Sequence, residues 1–341
     1  MMSETKSCQN CKSDFTIESE DFAFYEKIKV PPPTFCPECR LQRRLAWMTG
    51  LDLFKRKCDL CGEMKFSMYA PDAPYVVYCD RCWWSDKWSA ADFARDYDPN
   101  KNFFELWNDL LHTVPLLGLS IDKVTSELSP YTNHCGNAKS CYLIYYSDQN
   151  EDSAYGFFLA RNKNVWDSSA ILECENCYDS RNSFRNYNVV GSVNSMSNID
   201  SVFLQECDNC TNCFGSANLR NRQYVFFNEQ MSKEEYQKRL SEIDLGSYAE
   251  YQSWKAKADE HWKGFPPKPN EDDFSVNSTG SYYFHSKNCI ECYEVEYCED
   301  SKFLMLIKTG KVKDSYDYTD WGQNATRLYE CMTVGENVSD V

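Results

Sequence analysis

Cysteine recurs in this chain at a fixed interval. Cys141, Cys177 and Cys213 stand 36 residues apart, and Cys174 and Cys210 keep the same interval. A period that regular restricts the fold to stacked units, because each unit buries its apolar face only against the next. A finer period lies inside it. Units begin near Cys141, Ala154, Val165, Cys177, Val189, Ile199, Cys213 and Tyr224, close to 12 residues apart on average. Each joins a short apolar or aromatic strand to a turn rich in Asn, Asp and Ser, and Asn tolerates the left-handed conformation that sharp corners need. Such strands, stacked in parallel, make a β-solenoid. The number of units per coil stays open, and the 36-residue register favours three, with Cys141, Cys177 and Cys213 laddered inside one above another.

Four Cys-x-x-Cys pairs precede the repeats: Cys8/Cys11, Cys36/Cys39, Cys58/Cys61 and Cys79/Cys82. Zinc takes four thiolates in a tetrahedron, and a two-residue gap lets both sulfurs of one turn reach the same ion. Gaps of 24 residues (Cys11 to Cys36) and 17 (Cys61 to Cys79) point to two structural Zn²⁺ sites paired sequentially; the interleaved alternative would give a cross-brace. Four sulfurs leave no position open for a catalytic water. Each half reads as a knuckle, a hairpin-like stretch and a second knuckle leading into a helix, with Leu41–Trp47 helical in the first half and Tyr75–Tyr78 a strand in the second.

The fold class expected is therefore mainly β: two small zinc-ribbon or treble-clef modules, then a parallel β-solenoid interrupted by a helical hairpin. The expected segments are ribbons at 1–50 and 51–90, a helical connector and cap at 91–131, solenoid repeats at 132–231, a helical hairpin at 232–265, and further repeats at 266–341. In the connector, Phe103–Leu111 has helical spacing. In the hairpin, Ser232/Glu235 and Ser247/Glu250 read as capping boxes for helices over about 232–243 and 247–262. The chain stops at Val341 without a polar cap, which suggests a frayed end or a longer natural protein.

The formal charge of −16 is uneven. Residues 27–57 carry 8 Lys+Arg against 2 Asp+Glu, net +6, and residues 266–341 carry 7 against 14, net −7. Arg40, Arg43, Arg44, Lys55, Arg56 and Lys57, with Trp47 and Phe54 between them, are the candidates for nucleic-acid contact; a solvated helix face is the competing explanation. Nineteen cysteines, an odd total with eight in knuckles, favour metal-bound thiolates in a reducing compartment, hence the cytoplasm. No long apolar run suggests a membrane partner.

Cys207, Cys210 and Cys213, and His285 with Cys289, Cys292 and Cys298, also have metal-like spacing. Burial as ladder positions explains them more cheaply.

The string Pro31-Pro32-Pro33-Thr34-Phe35-Cys36-Pro37-Glu38-Cys39-Arg40-Leu41-Gln42-Arg43-Arg44, then Lys55 to Gly62, Tyr78-Cys79 and Cys82 to Trp88, resembles zinc-ribbon proteins encoded in candidate-phyla bacterial genomes. Similar proteins carry Asn-Cys-Tyr repeats, a stretch like Leu219-Arg220-Asn221 and one like Ser232 to Tyr236. The resemblance implies architecture, not an activity.

The function expected is that of a non-enzymatic, zinc-stabilised binding or scaffold protein. Its N-terminal module would contact nucleic acid or protein, its acidic solenoid would contact protein, and a small-molecule substrate is not expected. Two alternatives belong to other classes. One is a polysaccharide-acting β-helix enzyme using carboxylates such as Asp148, Asp152, Asp179 or Asp208, which requires two of them at a fixed separation. The other is a nucleic-acid mimic, which requires rows of carboxylates along one face.

Overall fold

A computed structural model describes every residue except 1, 49, 123, 308–309, 324, 333–334, 336 and 340–341. The expectation about the end at Val341 falls outside the described residues. The chain divides into two compact units. One joins residues 1–48 to 267–341 and the other is continuous from 49 to 266. Each unit combines one cysteine module with one solenoid, so the first module belongs with the last coils.

In the first unit, β1 (Glu4–Ser7) and β2 (Asp14–Ile17) form an antiparallel hairpin whose tip carries Cys8 and Cys11. The stretch between the knuckles then departs from a simple hairpin. It contains α1 (Ser19–Lys27), started by a box in which Glu18 and Asp21 cap each other's backbone groups. Its Phe22, Phe24 and Tyr25 are buried. α2 (Pro37–Leu45) follows, with proline in its first turn, where no helical N–H is lost.

The second unit repeats the hairpin as β3 (Phe54–Lys57) and β4 (Met64–Ser67), with Cys58 and Cys61 at the tip. β5 (Val77–Tyr78) leads into α3 (Asp80–Trp83). The expected connector helix is α4 (Phe103–Leu111), but it buries no residue and does not cap the coils. That role falls to the segment after it. β6 (Leu116–Leu117) pairs in parallel with β5, and Ile121 then bridges Cys135 of the first full coil.

The solenoid corrects the coil size. Parallel partners lie 12 residues apart, as in Ser169↔Arg181, Arg181↔Val193, Tyr187↔Ile199 and Thr211↔Gln223. One 12-residue unit is therefore a whole coil, not a third of one. The reason is a corner at every third residue. From His134 through Phe227 a positive φ recurs at every third residue, Gly191 and Gly215 included. Twelve residues taken in threes give four sides, and the residue after each left-handed corner points inward.

Cys141, Cys177 and Cys213 do share one inward column, but three coils apart, with Ser153 and Val165, then Val189 and Ser201, between them; all seven are buried. The side chain one coil earlier accepts inward N–H groups. Ser180 N donates to Ser168 Oγ at 3.0 Å, Cys174 N to Asn162 Oδ1 at 2.8 Å, Cys210 N to Asn198 Oδ1 at 2.9 Å and Cys213 N to Ser201 Oγ at 3.1 Å. A buried amide needs such a partner, which is why Ser and Asn alternate with Cys, Val and Leu inside.

After Phe226 the sheet ends in an antiparallel turn to Glu229–Gln230. Two helices follow, α5 (Lys233–Ser241) and α6 (Tyr248–Trp262). The box at Ser232/Glu235 is complete, whereas at Ser247 only the serine oxygen caps. The hairpin covers one solenoid side, packing Tyr251, Trp254 and Ala258 over Val190, Val202, Phe203, Phe214 and Phe226.

Candidate metal centres

In both units the cluster is assembled from a hairpin tip and a helix start. Cys36 and Cys79 are the N-cap residues of α2 and α3, and Cys39 and Cys82 sit in the first turns. The sulfurs of Cys8, Cys11, Cys36 and Cys39 lie within 4.8 Å of one another, as do those of Cys58, Cys61, Cys79 and Cys82. The pairing is sequential.

The geometry fits a tetrahedral ion. Sulfurs about 2.3 Å from a metal are about 3.8 Å from each other, and Cys11–Cys36 and Cys61–Cys79 are separated by 3.7 and 4.0 Å. Backbone amides already point at the sulfurs, with Cys36 N donating to Cys8 Sγ at 3.3 Å and Cys79 N to Cys58 Sγ at 3.2 Å. Burial raises the Cys8 thiol, but the amides of Cys36, Cys11 and Asn10 outweigh it and bring it down to about 6. At Cys58 the amides of Cys61, Cys79 and Leu60 overcome burial in the same way, to about 7. Burial pushes the Cys36, Cys79 and Cys82 thiols of the same clusters up, so each cradle favours thiolate at some of its sulfurs and a bound cation would deprotonate the others.

The ladder cysteines are mixed too: neighbouring thiols pull Cys174, Cys210 and Cys289 down, Cys210 to about 7. Burial pushes the Cys135 and Cys207 thiols up to about 12 despite backbone hydrogen bonds that pull the other way. Kept neutral, Cys207 donates to Gln205 O at 3.2 Å and Ser216 O at 3.5 Å. His285 faces away from Cys289, Cys292 and Cys298, stacked between Phe274 and Tyr297 at 5.2 and 4.8 Å. Among the described residues, cysteine clusters with metal-like geometry occur only at the two knuckle sites.

The six basic candidates fall in different places. Arg40 and Arg44 are buried and converge on Asp317 Oδ1 at 2.9 and 3.0 Å, with Arg44 also donating to Thr319 Oγ1 at 2.8 Å. Arg43 lies over the Phe35 ring and pairs with Glu330 at 3.1 Å. Arg56 is buried and donates to the carbonyls of Ala70, Ala73 and Tyr75. Lys55 and Lys57 are exposed. Charge counting missed this, since an arginine fork that ties loops together is no less cationic in sequence than one that faces solvent.

The four candidate carboxylates do not assemble a two-acid site. Asp148 accepts from Asn137, Asp179 is held by Tyr251 and Lys255, and Asp208 pairs with Arg220 at 2.9 Å. By the 12-residue register, Asp148 and Asp208 share a column five coils apart, while Asp152 and Asp179 lie on two other sides. Along one groove of the second unit, acids alternate with bases. This open groove, of about 660 Å³, runs along the coils. Its Lys139, Glu151 and Lys163 alternate at 3.3 and 3.7 Å, and Glu173 sits between Arg161 and Arg185 at 3.0 and 3.7 Å. Alternating signs cancel the field that a phosphate mimic would need.

No protein-family model, no curated protein and no solved structure matches the chain.

Proposed function

We propose that the chain is a non-enzymatic scaffold, in which two structural zinc ions brace two β-solenoids whose outer faces bind protein. One observation carries this reading: each cysteine cluster is mechanically continuous with a solenoid. In the first unit α2 supplies Cys36 and Cys39 and, one and two turns on, Arg40 and Arg44 to the buried Asp317. In the second, β5 runs into Cys79 and carries β6, whose chain continues to Ile121 and the first coil. An ion held there orders the hairpin tip, the helix start and the solenoid edge together, which is what a four-thiolate zinc site does for a small module. Free thiolates require a reducing compartment, and we assign the protein to the cytoplasm on that ground.

A protein partner is favoured over nucleic acid because Arg40, Arg44 and Arg56 spend their donors inside the fold. The test is metal analysis of the purified full chain with thermal unfolding before and after chelation. Two zinc ions per chain and a lower Tm on chelation are expected. A chain that unfolds at the same temperature without metal sinks the scaffold reading.

A further inference from the structure

One side of the second unit's solenoid is mostly apolar along its length, with Asp167 and Asp179 its two charged residues. Its outward pairs are Tyr142-Leu143, Ala154-Tyr155, Trp166-Asp167, Tyr178-Asp179, Val190-Gly191, Val202-Phe203, Phe214-Gly215 and Phe226-Phe227. The helix α6 covers the later coils, laying Tyr251 against Tyr178 and Phe203 and Trp254 against Phe214 and Phe226. At its starting end Tyr251 and Lys255, one turn apart, both bond Asp179. The earlier coils present the same chemistry without a helix. Tyr142, Tyr155 and Trp166 are 43, 49 and 46 % exposed and form a continuous row, with rings 5.6 and 6.2 Å apart. Asp167 stands one coil before Asp179 in the same column.

We propose that this open half of the face docks a short amphipathic helix of a partner protein that carries an aromatic residue and, four positions later, a lysine. The proposal rests on the scaffold reading above and adds the partner's chemistry. Continuity with the face that α6 occupies gives the mode of binding, and Asp167 gives the complementary charge. The size selects the occupant. The three half-exposed rings offer about 300 Å², far below the about 800 Å² per partner of a stable dimer. The row from Tyr142 to Trp166 spans two coil steps, about 10 Å, the length of about two helical turns.

The probe is a fluorescein-labelled synthetic peptide with the sequence of residues 247–263, titrated by anisotropy with metal-loaded full chain. Saturable binding is expected, at least tenfold weaker for the chain carrying Tyr155→Glu and Trp166→Glu and for peptide carrying Tyr251→Ala and Lys255→Ala. Both chain positions are half exposed, and an unchanged Tm verifies the fold. Absence of saturation, or equal binding to the double variant, overturns the proposal. So does tighter binding to an Asp179→Asn chain, which would mean that the peptide replaces α6. A concentration-dependent dimer in light scattering that the double variant abolishes would assign the face to a second copy, also against the proposal. Metal content and Tm measured on the same samples separate these failures from failure of the scaffold reading.

Discussion

The two solenoids share a corner but not a coil length. In the second unit, partners stay 12 residues apart from Asn133↔Tyr145 to Phe214↔Phe226. In the first, the offset runs through 11 at Asp272↔Tyr283, 12 at Gly280↔Cys292, 14 at Met305↔Thr319 and 13 at Tyr318↔Cys331. Strict coils keep every outward column straight, so one side forms a flat apolar strip on which a straight helix can lie. Uneven coils interrupt the columns. Within the 14-residue step Asp317 forms a left-handed corner and is fully buried against α2, where it meets Arg40 and Arg44. Regularity gives the second unit a long docking face, and irregularity gives the first a single polar lock.

The largest expected effect separates the two metal centres. Cys39→Ser and Cys82→Ser each remove one ligand from a site of the kind whose binding energy amounts to about 10–16 kcal/mol of folding free energy. Hydrogen exchange should show protection lost around β1, β2 and α2 in the first variant and around β3 to β6 in the second, with one metal ion lost each time. Loss spread evenly over both units in either variant would break the division into two units.

The next effect belongs to the lock. Asp317→Ala leaves two buried guanidinium groups without their shared carboxylate, and breaking a buried pair costs about 3–5 kcal/mol. The exposed pair Arg220–Asp208 in the regular solenoid should contribute under about 1 kcal/mol, so Asp208→Ala serves as the control. Denaturant unfolding of both variants measures the difference. Equal small losses would mean that the lock adds nothing to the first unit.

These contrasts mark what the sequence could reveal. The 12-residue step, the Asn-rich corners, α4 and the approximate hairpin helices were legible because each depends on neighbours within one turn or coil. The pairing of the four knuckles was legible from two spacings. Closure of a coil in one unit was not, because corners also form at Leu143, Tyr146, Phe158 and Phe203, residue types that seldom adopt a positive φ. α1 was overlooked between its knuckles, although Glu18 and Asp21 marked its start. The Arg40–Asp317 contact joins residues 277 positions apart, and nothing local distinguishes those arginines from solvated ones.

A smaller effect concerns the inner ladder. Asn198 sits in a column where its side chain accepts from Cys210 N at 2.9 Å and donates to Cys207 O at 2.8 Å. Asn198→Ala leaves a buried amide and a carbonyl short of partners, at a cost of about 1–3 kcal/mol. Val295 of the other unit is equally buried but apolar, so Val295→Ala tests packing alone. If Asn198→Ala proves neutral in denaturant unfolding, the side-chain ladder does not account for the Ser and Asn inside the coils.

The smallest effect is a pH slope in the second unit. His134 stacks on Tyr146 at 4.7 Å in the first full coil, beside Gly50, where a Cβ would lie 2.6 Å from the imidazole. Its Nε2 is buried with no hydrogen-bond partner among the described residues, and burial lowers its pKa below the usual 6.5. The folded chain therefore resists a proton that the unfolded chain accepts. Above about pH 7 both states are neutral and stability is at its full value. As the pH falls through 6.5 the unfolded state gains protons first, and stability declines until the folded pKa is reached, after which the loss levels off. Denaturation midpoints followed by hydrogen exchange should drop for the second unit between pH 7.5 and 5.5, and His134→Gln should flatten that slope while leaving the first unit unchanged. A slope that survives the substitution would move its origin to other groups and remove His134 from the contrast between the units.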